Sequence, residues 1–384
     1  MAIVPGPPAR CGCGTGRDVR RPASGRATFE RHVLQARLPR PAGPAGCAKM
    51  TPMRAETIVA SGKALGAPVV FEGFARAELA ELEQNWRLDL AAAAGTPAGG
   101  YRIVREPWSD TAGLTRAGAS LQADGLVRVA GGDGDALVNR AGVAWISPGR
   151  RIARIATDPF WTGLMEIGEL IGAGLTHAMA LVGRAPLHGM AAEIDGAGVL
   201  AVGQTMAGKS TLALALLHAG GRVVSDDFLL VERERGRPQI RALRRDLYVR
   251  EGSFGLIPED LRGRFSAEGA GPGRWVLRRE DAPERFAAAV TPEVVWFLKG
   301  PRGASPVEAH AIDQAAALAA MIAAASPLFA SGRYREERAR VLPALAAIVE
   351  STHGFSVRLG AGLLRSPGTV VRELLARTLQ ATDP

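Results

Sequence analysis

The chain has 384 residues, of which 47% are hydrophobic and 22% are charged, and its net charge is +9. This composition is ordinary for a globular protein and excludes a wholly disordered or fibrous chain. At roughly 100–200 residues per domain, the length allows about two or three domains. Every long apolar stretch is interrupted by charged residues or ended by proline, so we predict no membrane span.

The first 49 residues differ in character from the rest. They carry nine basic and two acidic residues, so most of the net charge lies in this segment. Pro, Gly and Arg dominate it without sustained hydrophobic periodicity, which predicts a disordered basic tail at 1–49. The alternative, which we favour, is that this segment is not translated and that Met50 or Met53 is the true start.

All three cysteines, Cys11, Cys13 and Cys47, lie in this tail. The rest of the chain can therefore hold neither a disulfide framework nor a four-cysteine zinc site, and a cytoplasmic location fits best. The basic tail shows no aromatic stacking platform and no recognition module. We therefore predict no nucleic-acid partner.

Residues 50–158 are predicted to form a small mixed α/β N-terminal domain. Helical spacing at 77–87 is followed by short apolar runs at 126–129, 136–139 and 143–146, which Gly and Asp separate. Such runs indicate the strands of a meandering sheet. We find no motif in this region that carries chemistry.

Residues 159–384 are predicted to form an α/β domain. A long amphipathic helix is expected at 159–182. The apolar runs at 187–194 and 199–202 are separated by an Asp-Gly turn signal, which predicts a β-hairpin. Strands and helices alternate beyond it, which indicates an α/β sheet. We predict further helices at 210–218, from 313, at 336–350 and at 369–379, and strands at 222–225, 228–231, 294–298 and 355–359.

The strongest motif lies between the hairpin and the next helix. The predicted nucleotide-binding residues are Gly203, Gln204, Thr205, Met206, Ala207, Gly208, Lys209, Ser210 and Thr211, of which the first eight fit the pattern G-x-x-x-x-G-K-[ST] without a mismatch. We call these eight the phosphate loop, since backbone N–H groups and a helix N-terminus in such a loop cradle phosphates. Lys209 is expected to reach the β- and γ-phosphate oxygens, and Ser210 to ligate Mg²⁺. The alternative is an ordinary Gly-rich turn.

Ser225-Asp226-Asp227 follows the next apolar run, and we call Asp226 and Asp227 the aspartate pair. In a doubly wound sheet, the carboxyl ends of the strands gather at one edge, where phosphates bind. One carboxylate can hold Mg²⁺, directly or through water, while the other accepts a proton from an attacking hydroxyl. Neighbouring side chains of a strand point to opposite faces, so both reach the site only if the strand ends there. The alternative is a solvated turn.

Histidine and arginine side chains supply further candidates. His188 lies on the first hairpin strand, and a histidine among apolar residues is most often structural. His177 and His218 lie on predicted helices, and we interpret both as structural. A basic cluster follows the aspartate pair, and phosphate binding and a solvated basic face are equally consistent with it. The cluster consists of Arg241, Arg244, Arg245 and Arg250.

These features together resemble the catalytic domain of HPr kinase/phosphorylase. In that family a His-containing strand, a hairpin, the phosphate loop, a helix that ends in Gly and an Asp-Asp pair follow in this order at about this spacing. The likeness is specific over about 185–232, faint over 233–384 and absent before about 155. It implies that 159–384 form a P-loop kinase domain related to phosphoenolpyruvate carboxykinase, which uses ATP and Mg²⁺ to phosphorylate a serine hydroxyl.

The resemblance also implies roles for single residues and for partners. By position, Asp226 resembles the family's general base, Asp227 its neighbouring metal-site carboxylate and His188 its active-site histidine. Lys209 would stabilise charge on the phosphates, and Ser210 would bind the metal. The implied acceptor is a small protein or peptide, either an HPr-like phosphocarrier or a biosynthetic precursor peptide. The oligomeric state stays open, a homo-oligomer included.

The chain departs from the family pattern at several positions. Thr205 and Met206 stand where the family usually has Ser and Gly, and a positive φ at Met206 would be strained. The family's later Glu-Ile-Arg-Gly-type stretch, which supplies a metal-binding Glu, has no clear counterpart, although Asp246 and Glu251 lie in that region. Two alternatives therefore stay open: an ATP-binding regulatory module with little or no transfer activity, and a P-loop ATPase.

Overall fold

The computed structural model describes residues 58–64, 67–86, 88, 90–92, 100–107, 126–130, 132–139, 141–158, 164–267, 273–300 and 306–381. The predicted tail, its cysteines and both candidate start residues lie outside this part of the chain. Those interpretations therefore stay predictions. None of the described helices is both long enough and apolar enough to cross a membrane.

An eight-stranded sheet, the N-terminal sheet, has the strand order β3-β1-β2-β4-β8-β7-β6-β5. Its strands are β1 (Ile58–Ala64), β2 (Ala67–Phe74), β3 (Leu90–Ala92), β4 (Tyr101–Glu106), β5 (Val127–Ala130), β6 (Asp135–Asn139), β7 (Gly142–Ile146) and β8 (Ile152–Thr157). Strands β5 to β8 form an antiparallel meander, and the short apolar runs of the sequence correspond to β5, β6 and β7 but not to β8. The parallel pairing of β2, β4 and β8 was not predicted. The predicted helix follows β2 as α1 (Arg76–Asn85).

A nine-stranded sheet, the C-terminal sheet, carries the phosphate loop. Its strands are β9 (Ala185–Ile194), β10 (Ala197–Gly203), β11 (Arg222–Ser225), β12 (Phe228–Glu234), β13 (Arg237–Ala242), β16 (Ala289–Val290), β17 (Val294–Leu298), β18 (Glu308–Ala311) and β19 (His353–Arg358). The order is β16-β13-β12-β9-β10-β17-β19-β18, and β11 also pairs with β9. A separate pair, β14 (Leu247–Arg250) and β15 (Arg274–Leu277), lies outside this sheet.

The helices of this region are α2 (Leu164–Leu181), α3 (Lys209–His218), α4 (Glu259–Arg262), α5 (Gln314–Ala325), α6 (Arg335–Ser351), α7 (Gly362–Arg365) and α8 (Pro367–Gln380). The five predicted helices correspond to α2, α3, α5, α6 and α8. Asp313 is the N-cap residue of α5, since its carboxylate accepts a hydrogen bond from the Ala316 N–H at 2.7 Å. The short helices α4 and α7 were not predicted.

The strand directions of the C-terminal sheet confirm the predicted hairpin. The turn residues Asp195 and Gly196 have φ values of 50° and 82° and join β9 to β10. The two-residue turn makes β9 antiparallel to β10. Strand β9 is also antiparallel to β11, whereas β10 is parallel to β17, so the sheet is mixed. Strands β10 and β11 nevertheless run in the same direction on either side of β9, so their carboxyl ends lie at one edge.

The aspartate pair lies between β11 and β12, which both pair with β9. Ser225 at the end of β11 pairs with Ala191, and Phe228 at the start of β12 pairs with His188. Between them the backbone is still tied to β9, since the Gly189 N–H donates to the Asp227 carbonyl at 2.9 Å. The regular strand therefore ends at the pair, which is the condition for both carboxylates to reach one site.

One hydrophobic core includes residues of both sheets and of α2. Helix α2 lies close to the N-terminal sheet, because a Cβ built on Gly174 would lie 3.0 Å from the Cβ of Ala153. The buried His177 of α2 contacts the Tyr101 hydroxyl at 2.9 Å and a Glu337 carboxylate oxygen at 3.3 Å. These contacts support the structural interpretation of this histidine. A second core packs α3 and α8 with the C-terminal sheet.

Candidate functional site

The phosphate loop leaves β10 and enters α3 through two glycines that have no room for a side chain. A Cβ on Gly203 would lie 2.9 Å from the Ala207 Cβ, and one on Gly208 would lie 2.9 Å from the Leu359 side chain. Gly208 also has a φ of 100° immediately before α3 begins. Since L side chains rarely adopt this conformation, glycine is required at this position.

Met206 is the unusual member of the loop. Its φ is 68°, in the left-handed region, and the residue is 68% exposed. The positive φ that would be strained at this position is therefore present. A non-glycine residue in this region costs on the order of 1–2 kcal/mol, and the exposed side chain recovers little of it by packing.

Lys209 is turned back against the beginning of the loop. Its Nζ donates hydrogen bonds to the carbonyls of Gly203 at 2.9 Å and Gln204 at 3.1 Å. Burial lowers the pKa of the Lys209 ammonium, whereas the charges of Asp227 and Asp226 act in the opposite direction. The structure thus brings the lysine and both carboxylates within electrostatic range of one another.

Asp226 has one engaged and one free carboxylate oxygen. Ser210 donates its hydroxyl to Oδ2 at 2.6 Å. Oδ1 is buried and has no hydrogen-bond partner among the residues that the structure describes. Burial, together with the charge of Asp227, raises the pKa of Asp226 to about 7. The geometry therefore presents a proton acceptor that titrates near neutral pH beside the phosphate loop.

Asp227 is held from two sides. Nδ1 of His188 lies 2.9 Å from Oδ1, and Nη1 of Arg244 donates to Oδ2 at 2.9 Å. Burial alone would raise the pKa of Asp227, but the His188 hydrogen bond and the charges of His188, Arg244 and Lys209 outweigh it and hold the pKa below its usual range. Asp227 therefore stays ionised and keeps a negative charge next to Asp226.

Arg244 is a member of this site that could not be singled out from the sequence. It is 3% exposed, and its guanidinium lies 3.8 Å from the centroid of the Tyr248 ring, within cation–π distance. The neighbouring Arg241 instead pairs with Glu232 and Glu234. Arginines are spread evenly over residues 241–250, so the sequence does not show that Arg244 is the buried one.

Glu169 adds a third carboxyl group near the aspartate pair. It lies on α2, and its Oε2 accepts a hydrogen bond from Asn139 of β6 at 3.1 Å. Burial, with a contribution from the charge of Asp227, raises the pKa of Glu169 to about 7. In the sequence Glu169 is only a charged residue within an apolar stretch. It lies far along the chain from the aspartate pair, so no local pattern connects the two.

The side chains present fit a Mg²⁺ ion that arrives with a nucleotide. Magnesium commonly binds through one or two carboxylates, water and substrate phosphates. Ser210 offers a hydroxyl oxygen, whereas both oxygens of Asp227 already accept N–H donors, which favours contact with the ion through water. In the described ranges no group of three His, Cys, Asp or Glu side chains is placed to hold a metal by itself. Asp246 lies in the region where the resembled family has its metal-binding Glu. Its Oδ1 accepts a hydrogen bond from the Arg279 backbone N–H at 3.2 Å.

Comparisons with known proteins add an independent observation. An HPr kinase/phosphorylase of Xylella fastidiosa (strain M12) is 44% identical over 70 residues, which cover 18% of this chain and 22% of that protein. An HPr kinase/phosphorylase of Xanthomonas euvesicatoria pv. vesicatoria (strain 85-10) is 40% identical over 79 residues, which cover 20% and 25%. The chain carries an HPr-kinase-like segment. The predicted resemblance is thus confirmed, although the match spans about a quarter of these relatives or less.

Two other comparisons bear on the regions around the HPr-kinase-like segment. No family model matches the chain. A solved structure, the HPr(Ser) kinase/phosphatase from Coxiella burnetii, aligns with 51% of this chain and 93% of its own at 14% identity. Its TM-score is 0.27, a value too low to establish a shared overall fold.

Proposed function

We propose that this protein is an ATP-dependent serine kinase of the HPr-kinase-like type. Residues 159–384 would form its P-loop catalytic domain, related to that of phosphoenolpyruvate carboxykinase. The observation that carries the proposal is the carboxyl group of Asp226, whose pKa is about 7 and which lies 2.6 Å from the Ser210 hydroxyl. A carboxylate with this pKa is well matched to accept a proton at neutral pH.

The proposed reaction requires positioning and charge stabilisation more than covalent chemistry. The phosphate loop amides and Lys209 bind the triphosphate, and Ser210 ligates the metal. A bound Mg²⁺ would supply positive charge that stabilises the transferred phosphate. The acceptor serine hydroxyl forms a bond to the γ-phosphorus, the bond from that phosphorus to the ADP oxygen breaks, and the serine proton passes to Oδ1 of Asp226.

Asp227 and His188 support the base in this proposal without accepting the proton themselves. The ionised Asp227 lies next to Asp226 and helps to raise its pKa. His188 and Arg244 hold both oxygens of Asp227, which keeps this charge in place. The pair thus divides its work: one carboxylate stays charged, and the other exchanges a proton near neutral pH.

The HPr-kinase-like segment suggests which acceptors should be tried. The relatives carry the name of HPr, so purified HPr is the first protein to test, and a set of biosynthetic precursor peptides is the second. The assay incubates the intact protein with Mg²⁺, γ-labelled ATP and each acceptor, with Asp226→Asn as the control. We expect label on a serine of one acceptor, and the Asp226→Asn variant should transfer it at least about 10²-fold more slowly.

The same assay separates the two alternatives. Binding of ATP without transfer to any acceptor or to water indicates a regulatory module. Release of labelled phosphate at the same rate with and without acceptors indicates an ATPase. The kinase proposal fails in either case.

A further inference from the structure

The end of α1 contacts the strand segment that carries Arg244. The Arg245 N–H donates to the Asn85 carbonyl at 2.8 Å, and Trp86 forms an antiparallel bridge with Arg244. The Tyr248 hydroxyl donates to Oδ1 of Asn85 at 3.4 Å. A part of the chain that precedes the phosphate loop by more than a hundred residues therefore fixes the backbone from which Arg244 reaches Asp227.

Trp86 is itself held between two elements. It is 2% exposed, and its ring centroid lies 5.2 Å from that of Phe228, whose ring lies 6.1 Å from that of His188. On α2, a Cβ built on Gly172 would lie 2.3 Å from Cη2 of the indole. Glycine at this position is therefore what allows the indole to lie against the helix.

We propose that Asn85 and Trp86 are positioning residues for phosphoryl transfer, which act by holding Arg244 against Asp227. This inference rests on the proposed function. Arg244 is buried and approaches Asp227 at 2.9 Å, so a backbone shift of about 1 Å would break its hydrogen bond. Displacements of this size commonly cost large factors in rate, because reacting groups must be held in a narrow range of geometry.

The sharpest test displaces the Trp86 indole without substituting any side chain of the site. Gly172→Ala places a methyl group against the indole, and Gly168→Ala, one turn earlier on α2, is the matched control. A Cβ on Gly168 would lie 3.6 Å from Nε1 of Trp86, an ordinary contact. We expect Gly172→Ala to lower kcat about tenfold with KM for ATP changed less than twofold, and Gly168→Ala to change neither.

Two further measurements distinguish positioning from general damage to the fold. In an Arg244→Ala background, Gly172→Ala should have no additional effect on kcat, because the group through which it acts is gone. Adding Trp86→Phe to Gly172→Ala removes the ring atoms that clash and should restore part of kcat. An unchanged tenfold loss in the Arg244→Ala background would overturn the proposal.

Coupling between Trp86 and Arg244 can be measured even if the protein transfers no phosphate. Thermal unfolding of wild type, Gly172→Ala, Arg244→Ala and the double variant needs no activity. Non-additive shifts in melting temperature support coupling between Trp86 and Arg244, and additive shifts contradict it. If Gly172→Ala does not fold, Asn85→Ala takes its place, since it removes an acceptor without introducing a clash. Absence of phosphoryl transfer by wild type would contradict the proposed function alone.

Discussion

Ser210 and Asp226 are joined by a hydrogen bond of 2.6 Å between Oγ and Oδ2, which links the first turn of α3 to the end of β11. This contact ties the phosphate-binding element to the proton-accepting element. It also leaves Oδ1 of Asp226 without a partner in the described part of the chain, and this atom is where a proton can be accepted.

Replacing Asp226 should separate activity from stability. We expect Asp226→Asn to lower phosphoryl transfer by about 10²-fold or more, since it removes the proposed general base. A carboxyl group whose pKa is raised to about 7 on folding destabilises the protein increasingly as pH rises from its unfolded pKa to that value. The stability gain of Asp226→Asn should therefore grow by about 2–3 kcal/mol between pH 5 and pH 8.

Denaturant unfolding of the nucleotide-free protein at both pH values checks this second effect. Asp195→Asn is the matched control, because Asp195 lies in an exposed turn, and it should show no such growth. An Asp226→Asn gain that is equal at pH 5 and pH 8 would contradict the burial of an ionisable group at this position.

Removal of the loop lysine should weaken nucleotide binding without unfolding the protein. Lys209→Met keeps the length and apolar part of the side chain but removes the ammonium. Because a charge-assisted hydrogen bond contributes about 1.5–3 kcal/mol, we expect ATP affinity to fall by roughly tenfold or more. Calorimetry with ATP and Mg²⁺ measures the change, and Lys299→Met, at an exposed lysine, is the control. Equal affinity for ATP in wild type and Lys209→Met would count against the phosphate site.

Loss of the buried arginine should be felt most at neutral and higher pH. Arg244→Ala leaves Asp227 with one fewer partner, and breaking a buried ion pair costs about 3–5 kcal/mol. The pKa of Asp227 is held below its usual range, so its ion pair adds stability above the unfolded pKa of the group, and this stability is lost as pH falls.

The difference in unfolding free energy between wild type and Arg244→Ala should therefore stay constant from pH 7 to about pH 5 and shrink as pH falls below the usual aspartate pKa of about 4. Arg241→Ala, at a more exposed arginine of the same stretch, should cost at most about 1 kcal/mol at neutral pH. A loss for Arg244→Ala that is independent of pH would argue against the pairing with Asp227.

The strained residue of the phosphate loop offers a stabilising change. Met206→Gly removes a side chain from a residue with a φ of 68° and loses little packing, because the methionine is exposed. The relief of strain exceeds the entropy cost of glycine, so we expect a net gain of about 0.5–1 kcal/mol. Met206→Ala keeps the strained backbone and should show no comparable gain. Thermal unfolding without nucleotide measures both variants.

The phosphate loop, the aspartate pair and the hairpin before them could be predicted from the sequence because their signals are local. A short turn between apolar runs or a loop at a strand end is encoded by neighbouring residues. The partners of Asp227 could not be predicted in this way, since Arg244 is one of several arginines and Glu169 lies on a distant helix. Strand β13 was missed because its polar residues resemble a solvated loop, although Ile240 and Ala242 are buried.

The core that α2 shares with both sheets limits how the chain can be cut. A fragment that starts at residue 159 would keep Leu170 and Leu175 but lose the N-terminal strands against which the helix packs. Apolar surface that becomes exposed to solvent in this way promotes aggregation. Recombinant production of the phosphate-binding half should therefore retain the N-terminal sheet, and a shortened version that precipitates says nothing about its chemistry.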